Sequence, residues 1–594
     1  MAEGRHASWC LRICDESLLG REEMEQAPGS LVQVSSAYGN MERGPLTVLP
    51  HRGVTASGKS HTAHLVTRQL LHLSSSTHFN HLSSSAARKA QKAASQVTAL
   101  HTLLSAFGRA KTQANPDATR YLSYTELHFS ASTLSSTGSP PGGAIVGARV
   151  LAWGLDKSRL TRLRQDERTF HIFYQLLSGA SPALLDSLRL DDASDYALLA
   201  SSSCYRLPSG PFSDDAAMFG VVEDAMRTLG LKERHCEGIW GLLSALLALG
   251  NIMFEEPLSA RDEAAGYRGG ANGLGGMVVD GQEEVRLVNP GMLDRASRLL
   301  GVGSEDLKEI LMTRFGYVKK EVVSTYLDAK GAARQRDRLV GGLYTLLFAY
   351  IVETGNHKLN PEYAGGDNDA SPPTTQVVFL DLPGFTTRSG AADRTTLLQA
   401  ASGGNGFTEF VTNFQDELVH SYTLRHAFEE SLPHMEFRAK DGVTVRDSVG
   451  LPSVLLESRR VISVLRGGVV SADEKSVMGK KVGGLLGVMG RAAGGVRKGM
   501  KVEDEELVKE CEAAVGGDSA FVGPVTNPFV NAASPSSGDG KSRTTNFGVV
   551  HYAGAVTYGV GANAYEEEWV ERDADAWDPG FLRVLRGGDG FIKR

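Results

Sequence analysis

The chain has 594 residues, 41% of them hydrophobic and 22% charged, and a formal net charge of −7. That composition supplies a sizeable core and excludes a general basic field that would draw the whole protein onto nucleic acid or acidic lipid. The five cysteines (Cys10, Cys14, Cys204, Cys236 and Cys511) are odd in number and scattered, which argues against a disulfide framework and predicts reduced thiols in a cytosolic compartment.

Residues 1–36 read as an irregular N-terminal segment. Cys10 and Cys14 have no second cysteine or histidine pair to complete a metal site, and Arg5, Asp15, Glu16 and Glu22 interrupt any run that would serve as a signal peptide. A helix is expected to start at Ser35-Ser36-Ala37-Tyr38 and to lead into a first strand, Leu46–Leu49. Five tracts rich in glycine and serine follow: Ser74–Ser85, Ser130–Gly143, Ser259–Gly276, Gly365–Pro373 and about Gly467–Ser542. Each buries too little apolar surface to offset chain entropy, so each reads as loop or disorder. Between them, helices are predicted over Thr169–Leu177, Gly238–Leu249, Arg338–Val352 and Phe407–Phe428, and short apolar strands over Val377–Leu380 and Phe547–Tyr552. The longest apolar stretch, Ile239–Phe254, is shorter than the ~20 residues a bilayer needs and is broken by Gly250 and Asn251, so it reads as a buried helix. There is no internal repeat. Helices mixed with short buried strands predict an α/β sheet core wrapped by many helices.

One motif carries chemistry by itself. Gly53-Val54-Thr55-Ala56-Ser57-Gly58-Lys59-Ser60 fits the phosphate-loop pattern G-x-x-x-x-G-K-[ST] with no mismatch. Its glycines let backbone N–H groups curl around phosphates, Lys59 supplies a point charge to the β and γ oxygens, and the Ser60 hydroxyl ligates Mg²⁺. A strand before the loop and a helix with Val66, Leu70 and Leu73 on one face after it supply the required context. Pro50-His51-Arg52, between strand and loop, is a departure that loosens the expected geometry.

The segments downstream resemble one family in order. Leu103–Thr112 (LLSAFGRAKT) resembles the myosin "LLEAFGNAKT". Asn115-Pro116-Asp117-Ala118-Thr119-Arg120-Tyr121 resembles its switch I, "NxNSSRFG". Gly143-Ala144-Ile145 through Asp156-Lys157-Ser158-Arg159 looks like "GA.I..YLLEKSR", and Glu167–Leu177 (ERTFHIFYQLL) is similar to "ERNYHIFYQLL". Leu249–Phe254 matches "LGNI.F", and Asp381-Leu382-Pro383-Gly384-Phe385 stands where switch II, "DIFGFE", stands. Asn405–Leu418 resembles the relay helix "NSFEQLCINYTNEKL", and His551–Tyr558 resembles "HYAG.V.Y".

The resemblance implies a P-loop NTPase core of myosin-head type, with a twisted, mostly parallel sheet, over residues 37–594, interrupted by the low-complexity insertion at about 467–542. It implies ATP and Mg²⁺ as ligands, with Asn115, Thr119 and Asp381 joining residues 53–60 around the nucleotide. Ser60 and Thr119 would ligate Mg²⁺, and Asp381 would hold it through water. Arg120 and Gly384 would act in catalysis, Gly384 through its N–H on the γ-phosphate. In this family the switch II glutamate pairs with the switch I arginine to close on the attacking water. Here that glutamate reads Thr386 and the first switch I serine reads Ala118, so binding is expected to outlast brisk hydrolysis. The sequence Asp-Leu-Pro-Gly-Phe and the style of the phosphate loop are similar to the myosin-like heads of fungal chitin synthases. That similarity implies weak binding to F-actin and vesicle or plasma-membrane association through a parent chain. It also implies a cytoplasmic, actin-linked location, no nucleic acid partner, and glycosyltransferase activity only in that parent chain. A free-standing divergent myosin and a structural tether are the rival readings. His171 and His551 read as core histidines, and Arg334, Arg336 and Arg338 near Asp337 as a solvated face with ion pairs. The basic residues Lys480, Lys481, Arg491, Arg497, Lys498 and Lys501 read as a solvated loop.

Overall fold

The computed structural model describes residues 46–51, 53–75, 84–130, 143–208, 210, 213–256, 285–318, 321–359, 374–386, 405–425, 453–467, 483–497, 502–525, 546–560 and 579–587. In chain order the main elements are β1 (Leu46–His51), α1 (Lys59–Ser75), α2 (Ser84–Gly108), β2 (Leu122–Ser130), β3 (Ile145–Trp153), α3 (His171–Gly179), α4 (Asp215–Leu229), α5 (Glu233–Gly250), α6 (Pro290–Leu300), α7 (Ser304–Met312), β4 (Thr313–Val318) and β5 (Glu321–Tyr326). They continue with α8 (Ala329–Leu359), β6 (Thr374–Asp381), α9 (Phe407–Arg425), α10 (Ser453–Arg466), α11 (Leu485–Arg497), α12 (Asp504–Val515), β7 (Phe521–Val525), β8 (Asn546–His551), β9 (Gly554–Gly559) and α13 (Pro579–Gly587). The chain divides into two compact units. One comprises Met1–Thr98, Ala114–Asp156 and Thr354–Asp573; the other comprises Ala99–Gln113, Lys157–Glu353 and Ala574–Arg594.

The first unit is built on a four-stranded sheet in the order β1-β6-β2-β3. β6 runs parallel to β1, with His51 opposite Asp381, and antiparallel to β2, with Asp381 opposite Ser123. β2 and β3 are also antiparallel. The expectation of a mostly parallel sheet is therefore corrected: among the described strands one pairing is parallel and two are antiparallel. A parallel pairing such as β1 with β6 needs a long crossover, which the helices between them in the chain supply. Along β2 the buried positions alternate as Ser123, Thr125, Leu127 and Phe129, the period-2 signature of a strand with one face in the core. Pro50 is accommodated within β1, opposite Leu380, because β1 is an edge strand among the described residues. On the other edge, Asn356 pairs with Val150 of β3 as a strand would. The Val150 N–H donates to Oδ1 at 2.8 Å, and Nδ2 donates to the Val150 carbonyl at 2.7 Å.

The tract at about Gly467–Ser542 requires a second correction. It contains α11, α12 and β7, and Leu485, Val488, Met489, Leu507, Val508, Cys511 and Phe521 are buried in one core with Phe385, Phe410 and Phe547. Leu485, Val488 and Met489 recur at i, i+3 and i+4, so a helical apolar stripe is present among the glycines that obscure it. β7, β8 and β9 form an antiparallel sheet above this core, where the Tyr558 ring lies 5.2 Å from Phe410. The helix expected at Ser35–Tyr38, most of Ser74–Ser85, and residues 131–142, 259–276 and 365–373 lie outside the described residues.

In the second unit, Phe170 and Phe173 stack on Tyr344 at 4.7 and 5.6 Å, and the Tyr344 hydroxyl donates to the Phe107 carbonyl at 2.7 Å. Arg168, fully buried, donates to both carboxylate oxygens of Asp215 at 3.0 Å and lies 3.7 Å over the Tyr174 ring. α5 is buried from Ile239 to Gly250, where it ends, so the predicted apolar helix is shorter than the Ile239–Phe254 stretch. Of the face expected at Arg334, Arg336 and Arg338, Arg334 is exposed and the expected ion pair with Asp337 is present, but Arg336 and Arg338 are less solvated than expected. Arg336 is half-buried, donating to the Ile252 carbonyl at 2.6 Å and pairing with Asp337 at 2.7 Å. No described helix is long and apolar enough to cross a membrane.

Candidate nucleotide site

The phosphate loop joins β1 to α1 within the first unit. Gly53 (φ +137°), Ala56 (φ +63°) and Gly58 (φ +85°) take positive φ angles that wind the backbone back on itself. Ala56 is the exception chemically, since a left-handed conformation costs a non-glycine residue roughly 1–2 kcal/mol. Ala56, Ser57 and Gly58 are exposed at the rim, and α1 starts beneath them with Thr62 N–H donating to the Gly58 carbonyl at 2.8 Å. The Lys59 ammonium reaches back across the loop to the Val54 carbonyl at 2.7 Å. Burial lowers its pKa below the ordinary lysine value, while the charges of Asp381 and Asp416 push it back up.

The second loop brings Asn115–Arg120 to the head of β2. Ser60 Oγ and Thr119 Oγ1 share a hydrogen bond of 2.9 Å, so the two hydroxyls expected to hold a cation meet although 59 residues separate them. Asn115 shapes its own turn, accepting from the Asp117 N–H at 3.0 Å. Arg120 is buried, and its Nε donates to Asp156 Oδ2 at 3.0 Å; the Asp156 N–H in turn donates to the Arg120 carbonyl at 2.9 Å. The arginine left without a glutamate at position 386 thus has a carboxylate from another loop. The signal was in the sequence, because Asp156 keeps the acid of the "LEKSR" motif.

The third loop, Asp381–Thr386, leaves β6 at its C-terminal end and is stitched to the phosphate loop by backbone. Phe385 N–H donates to the Gly53 carbonyl at 3.1 Å, and Thr55 N–H donates to the Phe385 carbonyl at 2.8 Å. Gly384 lies so close that a Cβ would stand 2.6 Å from both Thr55 Cα and Lys59 Nζ. Thr386 is held by α9. Its N–H donates to Asn413 Oδ1 and Asn413 Nδ2 donates to its carbonyl, each at 2.8 Å.

Behind this loop lies a buried polar network that the motifs alone did not reveal. Asn413 Nδ2 donates to the Tyr558 hydroxyl at 2.9 Å, Tyr558 reaches His551 Nε2 at 2.8 Å, and His551 Nδ1 reaches Glu417 Oε2 at 3.2 Å. Burial holds the Tyr558 hydroxyl protonated, its pKa raised far above the usual tyrosine value. With Nδ1–H donating to Glu417 and Nε2 accepting from Tyr558, each bond has one donor and one acceptor. His551 is a core histidine, as expected, but it is tied to the switch region, with its ring 5.3 Å from Phe385.

The profile of the family described as Myosin head (motor domain) matches residues 37–387, which include all three loops. The chain belongs to the myosin head family. Chitin synthase 8 of Mycosarcoma maydis is 29% identical over 94% of the chain and 23% of its own length. Chitin synthase 5 of Cryptococcus neoformans var. grubii is 28% identical over 95% of the chain and 24% of its own length. Myosin-1 of Arabidopsis thaliana is 28% identical over 56% of the chain and 24% of its own length. The chain therefore spans about a quarter of the length of these relatives. Membership of this family implies a P-loop NTPase type of α/β fold and nucleotide binding with Mg²⁺.

Proposed function

We propose that this myosin-type head binds Mg·ATP at residues 53–60 with Asn115, Thr119 and Asp381, and hydrolyses it slowly. The observation that carries this reading is the Ser60–Thr119 hydroxyl pair, 2.9 Å apart, where the phosphate loop meets the second loop. Two hydroxyls with a carboxylate at the end of the central strand form a hard-oxygen donor set of the kind Mg²⁺ prefers. Ser60 and Thr119 would ligate the ion and Asp381 would hold its water shell. Bound Mg²⁺ would supply charge neutralisation to the β and γ oxygens. Lys59 would exchange its bond to the Val54 carbonyl for the phosphates, and the Gly384 N–H would serve the γ-phosphate, since no side chain at 384 keeps the two loops apart. Arg120 fixes the second loop through Asp156.

The wider reading is an actin-associated head that forms part of a fungal chitin synthase, with residues 37–594 as one motor-like domain. In it, the head holds cell-wall synthesis vesicles at growth sites in the cytoplasm, and membrane attachment and glycosyl transfer belong to the parent chain. The alignment of two fungal chitin synthases over nearly the whole chain supports this over a free-standing myosin, since the plant myosin aligns over about half. The binding claim is tested by titrating the protein and Lys59→Ala with a fluorescent ATP analogue and Mg²⁺. Loss of a charge-assisted bond in a partly desolvated site is expected to weaken affinity about 10- to 100-fold. Equal affinities would refute the site.

A further inference from the structure

The third loop is held from behind. Position 386 carries no acid to meet Arg120, and Arg120 is already paired with Asp156. What grips Thr386 instead is the fully buried carboxamide of Asn413, which accepts from its N–H and donates to its carbonyl, each at 2.8 Å. The second Nδ2 hydrogen goes to the Tyr558 hydroxyl at 2.9 Å, and that hydroxyl lies 2.8 Å from His551 Nε2. The direction of each bond follows from the far end of the chain of groups. Glu417 Oε2 accepts from the Tyr552 N–H at 3.1 Å, so it is the acceptor for His551 Nδ1–H at 3.2 Å as well. In a neutral imidazole Nε2 is then an acceptor, and the Tyr558 hydroxyl donates to it. The Tyr558 oxygen in turn accepts from Asn413. A buried polar chain of this kind holds only while every member keeps its partner.

We propose that His551 is a positioning residue for ATP hydrolysis: by accepting the Tyr558 hydroxyl, it keeps the Asn413 carboxamide on Thr386 and the third loop against the phosphate loop. The inference rests on reading the site as one that binds and hydrolyses ATP. Without Nε2, the Tyr558 proton turns on Asn413 and competes with the Thr386 N–H for Oδ1. Thr386 lies two residues after Gly384, and Phe385 between them bonds through its backbone to Gly53 and Thr55. A loosened Thr386 therefore loosens the Gly384 N–H, which would serve the γ-phosphate in the chemical step, while the phosphate loop itself is left in place. His551 acts on turnover more than on ground-state affinity.

The test uses the full chain and His551→Phe, which removes both ring nitrogens at similar size. Hydrogen exchange of the ligand-free protein, read by fragmentation mass spectrometry, should be about tenfold faster at the Thr386 amide. The neighbouring Val550 and Gly559 amides, which donate to the Ala520 and Asn405 carbonyls at 2.8 and 3.0 Å, should keep their protection. Adding Tyr558→Phe removes the competing hydroxyl and should return Thr386 exchange to within about twofold of wild type. Single turnover of Mg·ATP by His551→Phe should be about tenfold slower, with affinity for a non-hydrolysable analogue within about twofold. Unchanged Thr386 exchange, equal loss of protection at Val550 and Gly559, no rescue by Tyr558→Phe, or an unchanged rate each overturns the proposal. If thermal unfolding shows that His551→Phe does not fold, His551→Asn replaces it with the same expectations, since its Nδ2 can still donate to Glu417 while nothing reaches Tyr558. Wild-type protein that does not bind Mg·ATP overturns the nucleotide reading and this role in hydrolysis together, whereas intact binding and turnover without the change at Thr386 overturns this inference alone.

Discussion

Restoring the missing glutamate by Thr386→Glu is the direct way to ask whether site closure limits turnover, and the structure predicts that it fails alone. Arg120 is already paired with Asp156, and the two side chains are only 8% and 11% exposed. Breaking such a buried pair from one side costs about 3–5 kcal/mol. A new closing contact contributes about 3 kcal/mol in the transition state, or roughly a hundredfold in rate. The new contact therefore does not repay the old one, and Thr386→Glu is expected to change the single-turnover rate by less than about threefold. Asp156→Asn removes the competing charge while keeping the backbone bond from residue 156 to the Arg120 carbonyl. In that background Thr386→Glu no longer competes with a carboxylate at position 156 for Arg120, and its rate should rise roughly a hundredfold above Asp156→Asn alone. The assay is rapid-quench single turnover of Mg·ATP, with analogue affinity measured for each variant. A hundredfold gain from Thr386→Glu alone, or none in the double variant with binding intact, would refute the competition.

Three further outcomes are expected. Gly384→Ala places a methyl 2.6 Å from Thr55 Cα; such overpacking costs about 1–3 kcal/mol and should lower both melting temperature and Mg·ATP affinity, as calorimetry would read. Co-sedimentation with F-actin should be weak and should fall steeply above physiological ionic strength, where the Debye length is about 8 Å; salt-independent binding contradicts a charge tether. His101 has its pKa lowered to about 4 by burial and by Arg109. Its folded pKa lies below the unfolded value, so the stability it contributes is full above pH 6.5 and lost as pH falls from there toward 4. Urea unfolding between those limits should show a loss of about 2–3 kcal/mol that His101→Gln abolishes.

Much of the site was legible because phosphate chemistry imposes spacing. A backbone that curls around phosphates needs Gly53 and Gly58 where they stand, and the pairing of Ser60 with Thr119 follows once the order of motifs is read. Strand β6 announced itself as an apolar run ending in Asp381. The partners of Arg120 and Thr386 were harder to read because each comes from a distant segment. Asp156 and Asn413 lie 36 and 27 residues away, and only the fold brings them into bonding distance. The sheet was misread for a related reason: strand direction depends on what connects the strands, and composition shows a strand without its neighbour.

The tract at about Gly467–Ser542 is the most instructive miss. Glycine is its commonest residue, yet Leu485, Val488 and Leu507 pack in the core that receives Phe385. Helix formation there does not depend on intrinsic propensity, which glycine lowers by about 1 kcal/mol per residue. It depends on an apolar stripe meeting a tertiary partner. That partner belongs to the switch loop, so a segment lying beyond the residues matched by the family profile completes the packing of one that lies within it. The same geometry shows how α9 ties the switch loop to this core. Its Asn413 holds the backbone of Thr386, its Glu417 anchors His551, and its Asp416 accepts from the Tyr552 hydroxyl.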